Sequence, residues 1–165
     1  MLESIQKETS SRELPRVWLE ALEETARDFY PKPKEFCRRA YEHATETWLR
    51  ILEEEYGMVP DPASTIKEGV ESHIKIGVEA GLFHDPGEFV LKEETPDKLN
   101  VTVVRCIYKK VCQDMVKEGF SVKNLTCPRI GCFRAAVLNL TGIDAHYEVT
   151  NFEEDGVCEG FIEAK

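Results

Sequence analysis

Three cysteines in the second half of the chain have the residue type and placement for chemistry. Cys106 and Cys127 each stand where a helix is predicted to begin, and Cys158 lies early in the last predicted strand. The positive end of a helix dipole favours thiolate over thiol, and the thiolate is both the nucleophile and the metal ligand. Convergence of the three would suit zinc, copper(I) or an iron–sulfur centre, whereas Cys106 or Cys127 alone could serve as a catalytic nucleophile.

The same cysteines have a simpler interpretation as core residues. Free cysteine is among the most buried residue types and packs as a small apolar side chain. Neither Cys106-x5-Cys112 nor Cys127-x4-Cys132 has the two-residue spacing that is usual in zinc sites. The helical patterns place Cys37 and Cys112 in the core and leave Cys132 undecided.

Three helices are predicted in the first half of the chain. Helical spacing of apolar residues runs over Glu13–Tyr30 and stops at Pro31. A second stripe runs over Pro33–Tyr56 and ends at Gly57. The third helix is predicted over Pro62–Leu82, with Asp61 as its N-cap and Pro62 as its first residue.

The third helix carries a row of small residues with one imidazole. Gly69, His73, Gly77 and Gly81 recur every four residues and so share one side of the helix. Each glycine costs up to about 1 kcal/mol relative to alanine inside a helix, so a compensating contact is expected. One explanation is close packing of another helix. The alternative is a ligand that lies along the groove and contacts Gly69, His73 and Gly77.

After Asp85-Pro86-Gly87 the apolar residues alternate as in two strands, and two helical segments and two further strands follow. The order of elements predicts an α+β fold, ααα-ββ-αα-ββ, with the N-terminal helices packed on an antiparallel sheet of about four strands. We expect one domain over residues 1–165, with a helical part at 1–84 and a cysteine-bearing part at 85–165. The predicted elements of the second part are strands Glu88–Glu94 and Leu99–Arg105, helices Cys106–Phe120 and Pro128–Leu140, and strands Ile143–Thr150 and Val157–Ala164.

Charge and apolar patterning exclude several classes of protein. The chain has 165 residues and a formal net charge of −10, and no basic face is available for a nucleic acid. No apolar run approaches the roughly 20 residues that span a bilayer, so no membrane partner is expected. Since the first ten residues lack the apolar core of a signal peptide, we expect a cytoplasmic protein with reduced thiols.

Three segments of the second half resemble known families. They are VTVVRCIYKKVC at 101–112, LTCPRIGCFRAAVLNLTG at 125–142 and YEVTNFEEDGVCEGFIEA at 147–164. Cys127 with Gly131 resembles the helix of the vinyl-reductase-type (hydrocarbon-binding) small-molecule-binding domain. Cys106 with Cys127 resembles the pattern of the L-2-amino-thiazoline-4-carboxylic acid hydrolase family. The resemblance implies an α/β sandwich, akin also to subunits of a Golgi tethering particle, with a ligand pocket between helices and sheet and with a tendency to form homodimers.

These patterns favour a small-molecule-binding or sensing domain. In that hypothesis His73, Gly69 and Gly77 contact the ligand, and a cluster of Cys106, Cys127 and Cys158 binds metal or responds to redox state. The alternative is a hydrolase that opens a carbon–nitrogen bond of a small ring with Cys106 or Cys127. A third hypothesis is a partner-binding module, for which an exposed apolar patch would be the sign.

Overall fold

The computed structural model describes the backbone of residues 2–29 and 31–165, and the side chains of residues 15, 17–29 and 31–165. Within these ranges helices and strands follow the predicted order, which confirms the α+β fold class. The elements are α1 (Leu2–Phe29), α2 (Pro33–Tyr56), α3 (Ile66–Glu79), β1 (Phe89–Thr95), β2 (Lys98–Val103), α4 (Lys109–Lys117), α5 (Pro128–Thr141), β3 (Ala145–Phe152) and β4 (Cys158–Ala164).

The second helix has the bounds that the sequence predicts. α2 covers Pro33–Tyr56, and Gly57 ends it in the left-handed region with φ of 67°. At that angle a side chain would be strained, so glycine is the residue that stops the helix most readily. The first helix starts earlier than predicted, at Leu2 rather than Glu13. The Leu14 side chain of its predicted stripe lies outside the described residues.

The third helix begins four residues later than predicted, because a capping box and not Asp61-Pro62 starts it. The Glu68 backbone N–H donates to the Thr65 hydroxyl at 3.1 Å, and the Thr65 backbone N–H donates to the Glu68 carboxylate at 3.2 Å. This reciprocal pair satisfies two N–H groups that the first helical turn leaves open. Asp61 instead binds the Lys75 ammonium at 2.6 Å.

The sheet is antiparallel throughout, with strand order β1-β2-β4-β3. β4 lies beside β2, and Val103 pairs with Cys158. Because Cys106 follows the end of β2 by three residues, the pairing of β4 with β2 places Cys158 toward Cys106. The buried face of the sheet packs against α3 and α5, and Leu99, Val101 and Val103 on β2 all belong to that core.

Helix α5 is the centre of the molecule. It packs against α2, α3 and the sheet, and most of its side chains are buried. A helix that is buried on all sides has no solvent to hydrate charged groups. α5 nevertheless carries two arginines, Arg129 and Arg134, which are 4% and 1% exposed. None of the helices in the described ranges is long and apolar enough to cross a membrane.

Candidate functional site

A cavity of about 210 Å³ lies where α2, α3 and α5 come together. Its walls combine aromatic rings, short apolar groups and a few polar side chains, which is the usual composition of a small-molecule site. Ala44 is the exposed member of the lining, so the cavity reaches the surface beside α2. The lining residues are Ala44, Thr45 and Trp48 of α2, His73 of α3, Leu82, Tyr108, and Arg129 and Cys132 of α5.

Three buried polar atoms of this lining have no hydrogen-bond partner among the described residues. They are Thr45 Oγ1, His73 Nδ1 and Arg129 Nε. A buried polar group without a partner costs about 1–3 kcal/mol, and a charged one costs more, so such groups are rare in native proteins. Their concentration around one cavity indicates a place where another molecule supplies the missing partners.

His73 is held by aromatic packing and not by polar contacts. Its ring lies edge-on to Trp48 and Phe133, with ring centroids 5.3 and 5.8 Å apart. Burial, reinforced by the nearby charge of Arg129, lowers the pKa of His73 to about 3. The imidazole is therefore neutral at physiological pH and offers one N–H donor and one nitrogen acceptor.

The Arg129 guanidinium sits among aromatic rings. Its central carbon lies 4.4 Å from the centroid of Phe83, 5.1 Å from Tyr108, 5.7 Å from Phe89 and 6.0 Å from Phe133. Cation–π attraction stabilises a desolvated cation by about 2 kcal/mol. Since desolvating a charge costs several kcal/mol, the rings offset only part of this cost. No described carboxylate forms an ion pair with Arg129.

The buried charge of Arg134, the other arginine of α5, is paired with acceptors from the protein itself. The Arg134 guanidinium binds the carboxylate of Glu42 on α2, the carboxylate of Asp144 at 2.5 Å, and the carbonyl oxygen of Ala145 at 2.6 Å. These three acceptors tie α5 to α2 and to the start of β3. Arg129 lies on the same helix and has no carboxylate or carbonyl acceptor among the described residues.

A second group of buried polar side chains is satisfied internally. The Tyr41 hydroxyl donates to the Glu23 carboxylate at 2.5 Å, and the Thr126 hydroxyl donates to the same carboxylate. The Tyr147 hydroxyl donates to the Thr126 carbonyl oxygen. Because these groups pair with one another, they join α1, α2, β3 and the segment before α5 without leaving an open position for a ligand.

A larger groove, of about 630 Å³, runs between α3 and β1. Its floor is apolar, with Ile74, Val78 and Leu91 among its residues. Lysines and glutamates flank it at the surface. Unlike the cavity near His73, it contains no buried polar atom without a partner in the described part of the chain.

The predicted cysteine site lies near the lining of the cavity beside His73, because in addition to burial a charge on Cys106 raises the pKa of Tyr108 and of Cys132. Cys112, Cys127 and Cys158 are buried in the main core, with Cys106 packed against them. A negative charge on Cys106 raises the pKa of each of the other three, so the predicted trio does share one region. Burial is the largest cause, and it raises the pKa of Cys127 to about 12 and that of Cys158 to about 11.

The structure corrects the predicted cofactor. In the described ranges no group of three or more His, Cys, Asp or Glu side chains could hold a metal ion, so the prediction of zinc or an iron–sulfur centre on Cys106, Cys127 and Cys158 is wrong. A shared zinc would require each sulfur to lie about 2.3 Å from the ion. These thiols are instead packed among apolar side chains, which disfavours the thiolate that such a metal binds.

The two helix-start cysteines differ from each other. α4 begins at Lys109 with Tyr108 as its cap, so Cys106 precedes the helix and is not in its first turn. Cys127 does cap α5, where its Sγ accepts from the Ile130 N–H at 3.5 Å. Its φ of 42° makes it the one non-glycine residue with positive φ in the described ranges. Catalytic roles for Cys106 and Cys127 remain predictions.

The glycine row of α3 separates into distinct contacts. A Cβ at Gly69 would lie 3.2 Å from the Val137 Cα, so this glycine lets α5 approach α3. Gly77 faces the Phe83 ring, and Gly81 follows the helix with φ of 76°. Only His73 of this row lines the cavity among α2, α3 and α5. Direct ligand contact by Gly69 and Gly77 remains a prediction.

Arg129 is a candidate site residue that sequence reasoning missed. Its position was visible as one of two charged residues in a largely apolar helix, four residues before Phe133 and so on the same face. A charge at a core-facing position indicates a partner, either in the protein or in a ligand. Arg134 is also an arginine within this apolar helix, so the sequence does not show which of the two is paired within the protein.

Comparison with known proteins gives a distant likeness of fold. No family model matches the chain, and no curated protein matches it. One similar solved structure comes from a study of heme distortion in the H-NOX family, with 10% identity, a TM-score of 0.47, and coverage of 85% of this chain and 66% of that one. Another is the Fe(II) unliganded H-NOX protein from K. algicida, with 14% identity, a TM-score of 0.45, and coverage of 81% and 63%.

These matches correct the resemblance drawn from the cysteine segments. The similar structures are H-NOX proteins, so the assignment to vinyl-reductase-type domains and to the L-2-amino-thiazoline-4-carboxylic acid hydrolase family is wrong. The chain spans about two thirds of the length of the H-NOX chains that it matches. A likeness this distant assigns neither ligand nor activity, which must be argued from the chain's own side chains.

Proposed function

We propose that this chain is a small-molecule-binding or sensing domain whose ligand occupies the cavity among α2, α3 and α5. One observation carries the proposal: three buried polar atoms without partners, on Thr45, His73 and Arg129, line the same cavity. A bound molecule that pairs with them would remove a cost that the protein alone leaves uncompensated. The ligand's stabilisation of the fold would then follow from mass action.

The size of the cavity limits the ligand. At about 210 Å³ it is smaller than the roughly 300–1,000 Å³ that is usual for drug-sized ligands. The ligand should therefore be a small organic molecule with one flat or apolar part, which Trp48 and Leu82 would contact.

Heme does not fit this cavity. A heme was the subject of one similar H-NOX structure, and a neutral imidazole such as that of His73 is a usual iron ligand. A porphyrin is at least as large as a drug-sized ligand, however, and the cavity has less volume than such ligands occupy. We assign no heme to the site, and hemin serves as a comparison in the test.

Tryptophan fluorescence provides a direct test. The chain has two tryptophans: Trp18 is 70% exposed and Trp48 lines the cavity. In a Trp18→Phe protein the emission reports on Trp48 alone. Titration with a panel of small carboxylates and their amides, and separately with hemin, is expected to change this emission saturably for at least one small compound.

A blocked cavity provides the matched control. Ala44→Trp would fill the opening from an exposed position on α2, whereas His43→Trp adds the same bulk at an exposed neighbour outside the lining. We expect ligand-induced thermal stabilisation to be lost in the first variant and kept in the second. Equal stabilisation of both variants, or none in the parent protein across the panel, would contradict the proposal.

A further inference from the structure

The charge of the cavity lining identifies the class of ligand more closely. We infer that the ligand of this cavity carries a carboxylate, which binds Arg129, while its uncharged part lies against Trp48 and Leu82. This inference rests on the proposed function, because it assumes that the cavity binds a small molecule.

The two arginines of α5 provide the first step of the argument. Arg134 is 1% exposed and has two carboxylates and a carbonyl as acceptors, whereas Arg129 is 4% exposed and has no ion pair or side-chain hydrogen bond with a described residue. Removing the partner of a buried charge typically costs 3–5 kcal/mol. The fold thus maintains two buried arginines on the same helix: Arg134 has acidic partners, whereas Arg129 has none among the described residues and lines the cavity.

The rings around Arg129 leave its hydrogen-bonding capacity unused. Phe83, Tyr108, Phe89 and Phe133 interact with the charge through their π systems. A guanidinium has five N–H donors in a planar fork, and the fork matches the two oxygens of a carboxylate. The buried Nε without a partner is one of these donors.

The other ionisable groups of the lining do not supply a counter-charge. His73 is neutral because burial holds its pKa near 3. Burial also raises the pKa of Tyr108 and of Cys132, so both keep their protons at neutral pH. Arg129 is therefore the single charge of the described lining residues, and one negative charge on the ligand balances it.

The neutral imidazole fits the same ligand. His73 donates one N–H, which can bond an oxygen of the carboxylate or another acceptor on the ligand. The protein as a whole has a net charge of −10, which repels anions at long range. Binding of a carboxylate would therefore depend on the local contacts in the cavity and not on general attraction to the surface.

The test compares carboxylates with their uncharged counterparts on one protein. Acetate, hexanoate, benzoate and cyclohexanecarboxylate are titrated into the Trp18→Phe protein in parallel with the four matching primary amides. We expect the best carboxylate to bind roughly tenfold or more tightly than its amide, since hydrogen bonds to a charged partner are the stronger ones. Nitrate and bicarbonate are included as inorganic anions.

Variants of Arg129 test the residue itself. Arg129→Gln removes the charge, Arg129→Lys keeps the charge without the fork, and Arg105→Gln makes the same change at a side chain that is 72% exposed. Carboxylate affinity should fall tenfold or more in the first, partly in the second and not in the third. Because the carboxylate-against-amide comparison uses unaltered Arg129, it stands even if Arg129→Gln fails to fold.

The outcomes separate the two proposals. A carboxylate and its amide could bind equally well, with both losing affinity in the Ala44→Trp variant. The cavity would then bind small molecules, but the carboxylate inference would be wrong. Binding of nitrate or bicarbonate as tight as that of the best carboxylate would also overturn it, because an organic ligand would not be needed. If no compound binds, both this inference and the proposed function fail.

Discussion

Gly77 of α3 and Phe83 are in direct contact, and a Cβ at position 77 would lie 2.5 Å from Cδ2 of the phenyl ring. Phe83 is 3% exposed and also holds the nearest ring to the Arg129 guanidinium. The glycine therefore makes room for a ring that packs against Arg129, and Arg129 lines the cavity. The glycine row suggested a ligand groove in the sequence, and at Gly77 it also positions an aromatic neighbour of Arg129.

Gly77→Ala should destabilise the protein although alanine is the better helix former. The gain in helix propensity is up to about 1 kcal/mol, whereas overpacking a buried ring costs about 1–3 kcal/mol. We expect a net loss of about 1–2 kcal/mol in urea unfolding. The loss should shrink when alanine is introduced beside Phe83→Leu, because the smaller side chain relieves the clash. An alanine variant as stable as the parent would show that the ring can move freely.

His73 should make the protein less stable as pH falls. Its pKa is about 3 when folded and about 6.5 when unfolded, so the unfolded state binds more protons between these values and stability falls with pH. Between pH 6.5 and 5 this effect amounts to about 1.6 kcal/mol. His73→Phe should lose that dependence, whereas His43→Phe, at an exposed position, should keep it. Urea unfolding at several pH values measures it, and parallel curves for all three proteins would contradict the prediction.

The buried Tyr41 hydroxyl should contribute measurably to stability. It donates to Glu23, which is 3% exposed and has no cationic partner among the described residues. Tyr41→Phe would leave the Thr126 hydroxyl and the Cys37 thiol beside this carboxylate and should lower the free energy of unfolding by about 1–3 kcal/mol. Tyr56→Phe makes the same change at a 68% exposed side chain and should have almost no effect. Equal effects of the two variants would show that the Glu23 contact is not stabilising.

The thiols should react with iodoacetamide at very different rates in the native protein. Burial raises the pKa of Cys127 to about 12 and of Cys158 to about 11, which leaves little thiolate at pH 8. Cys106 is partly exposed and should be labelled first. Peptide mapping after timed quenching measures the order, with urea-unfolded protein as the control in which all six cysteines react. Labelling of Cys127 as fast as Cys106 would contradict this order and would favour Cys127 as a nucleophile.

The order of elements, the bounds of α2 and an antiparallel sheet of about four strands could be read from the sequence. These features depend on local rules, namely the 3.6-residue and two-residue periods and the left-handed conformation of Gly57. The start of α3 was also readable, because Thr65 and Glu68 have the spacing of a capping box. The prediction instead chose Asp61-Pro62, since a proline at the first helical position is an equally local signal.

The sequence by itself determined the fold class and that α5 would contain two charged residues within an apolar helix. Only the tertiary structure decided that Arg134 meets Glu42 and Asp144, whereas Arg129 meets aromatic rings and an opening beside His73. The physical reason is that counter-charges and cavities arise where distant segments pack together. The periodicity of a single helix shows which side of the helix is buried, but it does not show which residues of other segments pack against that side.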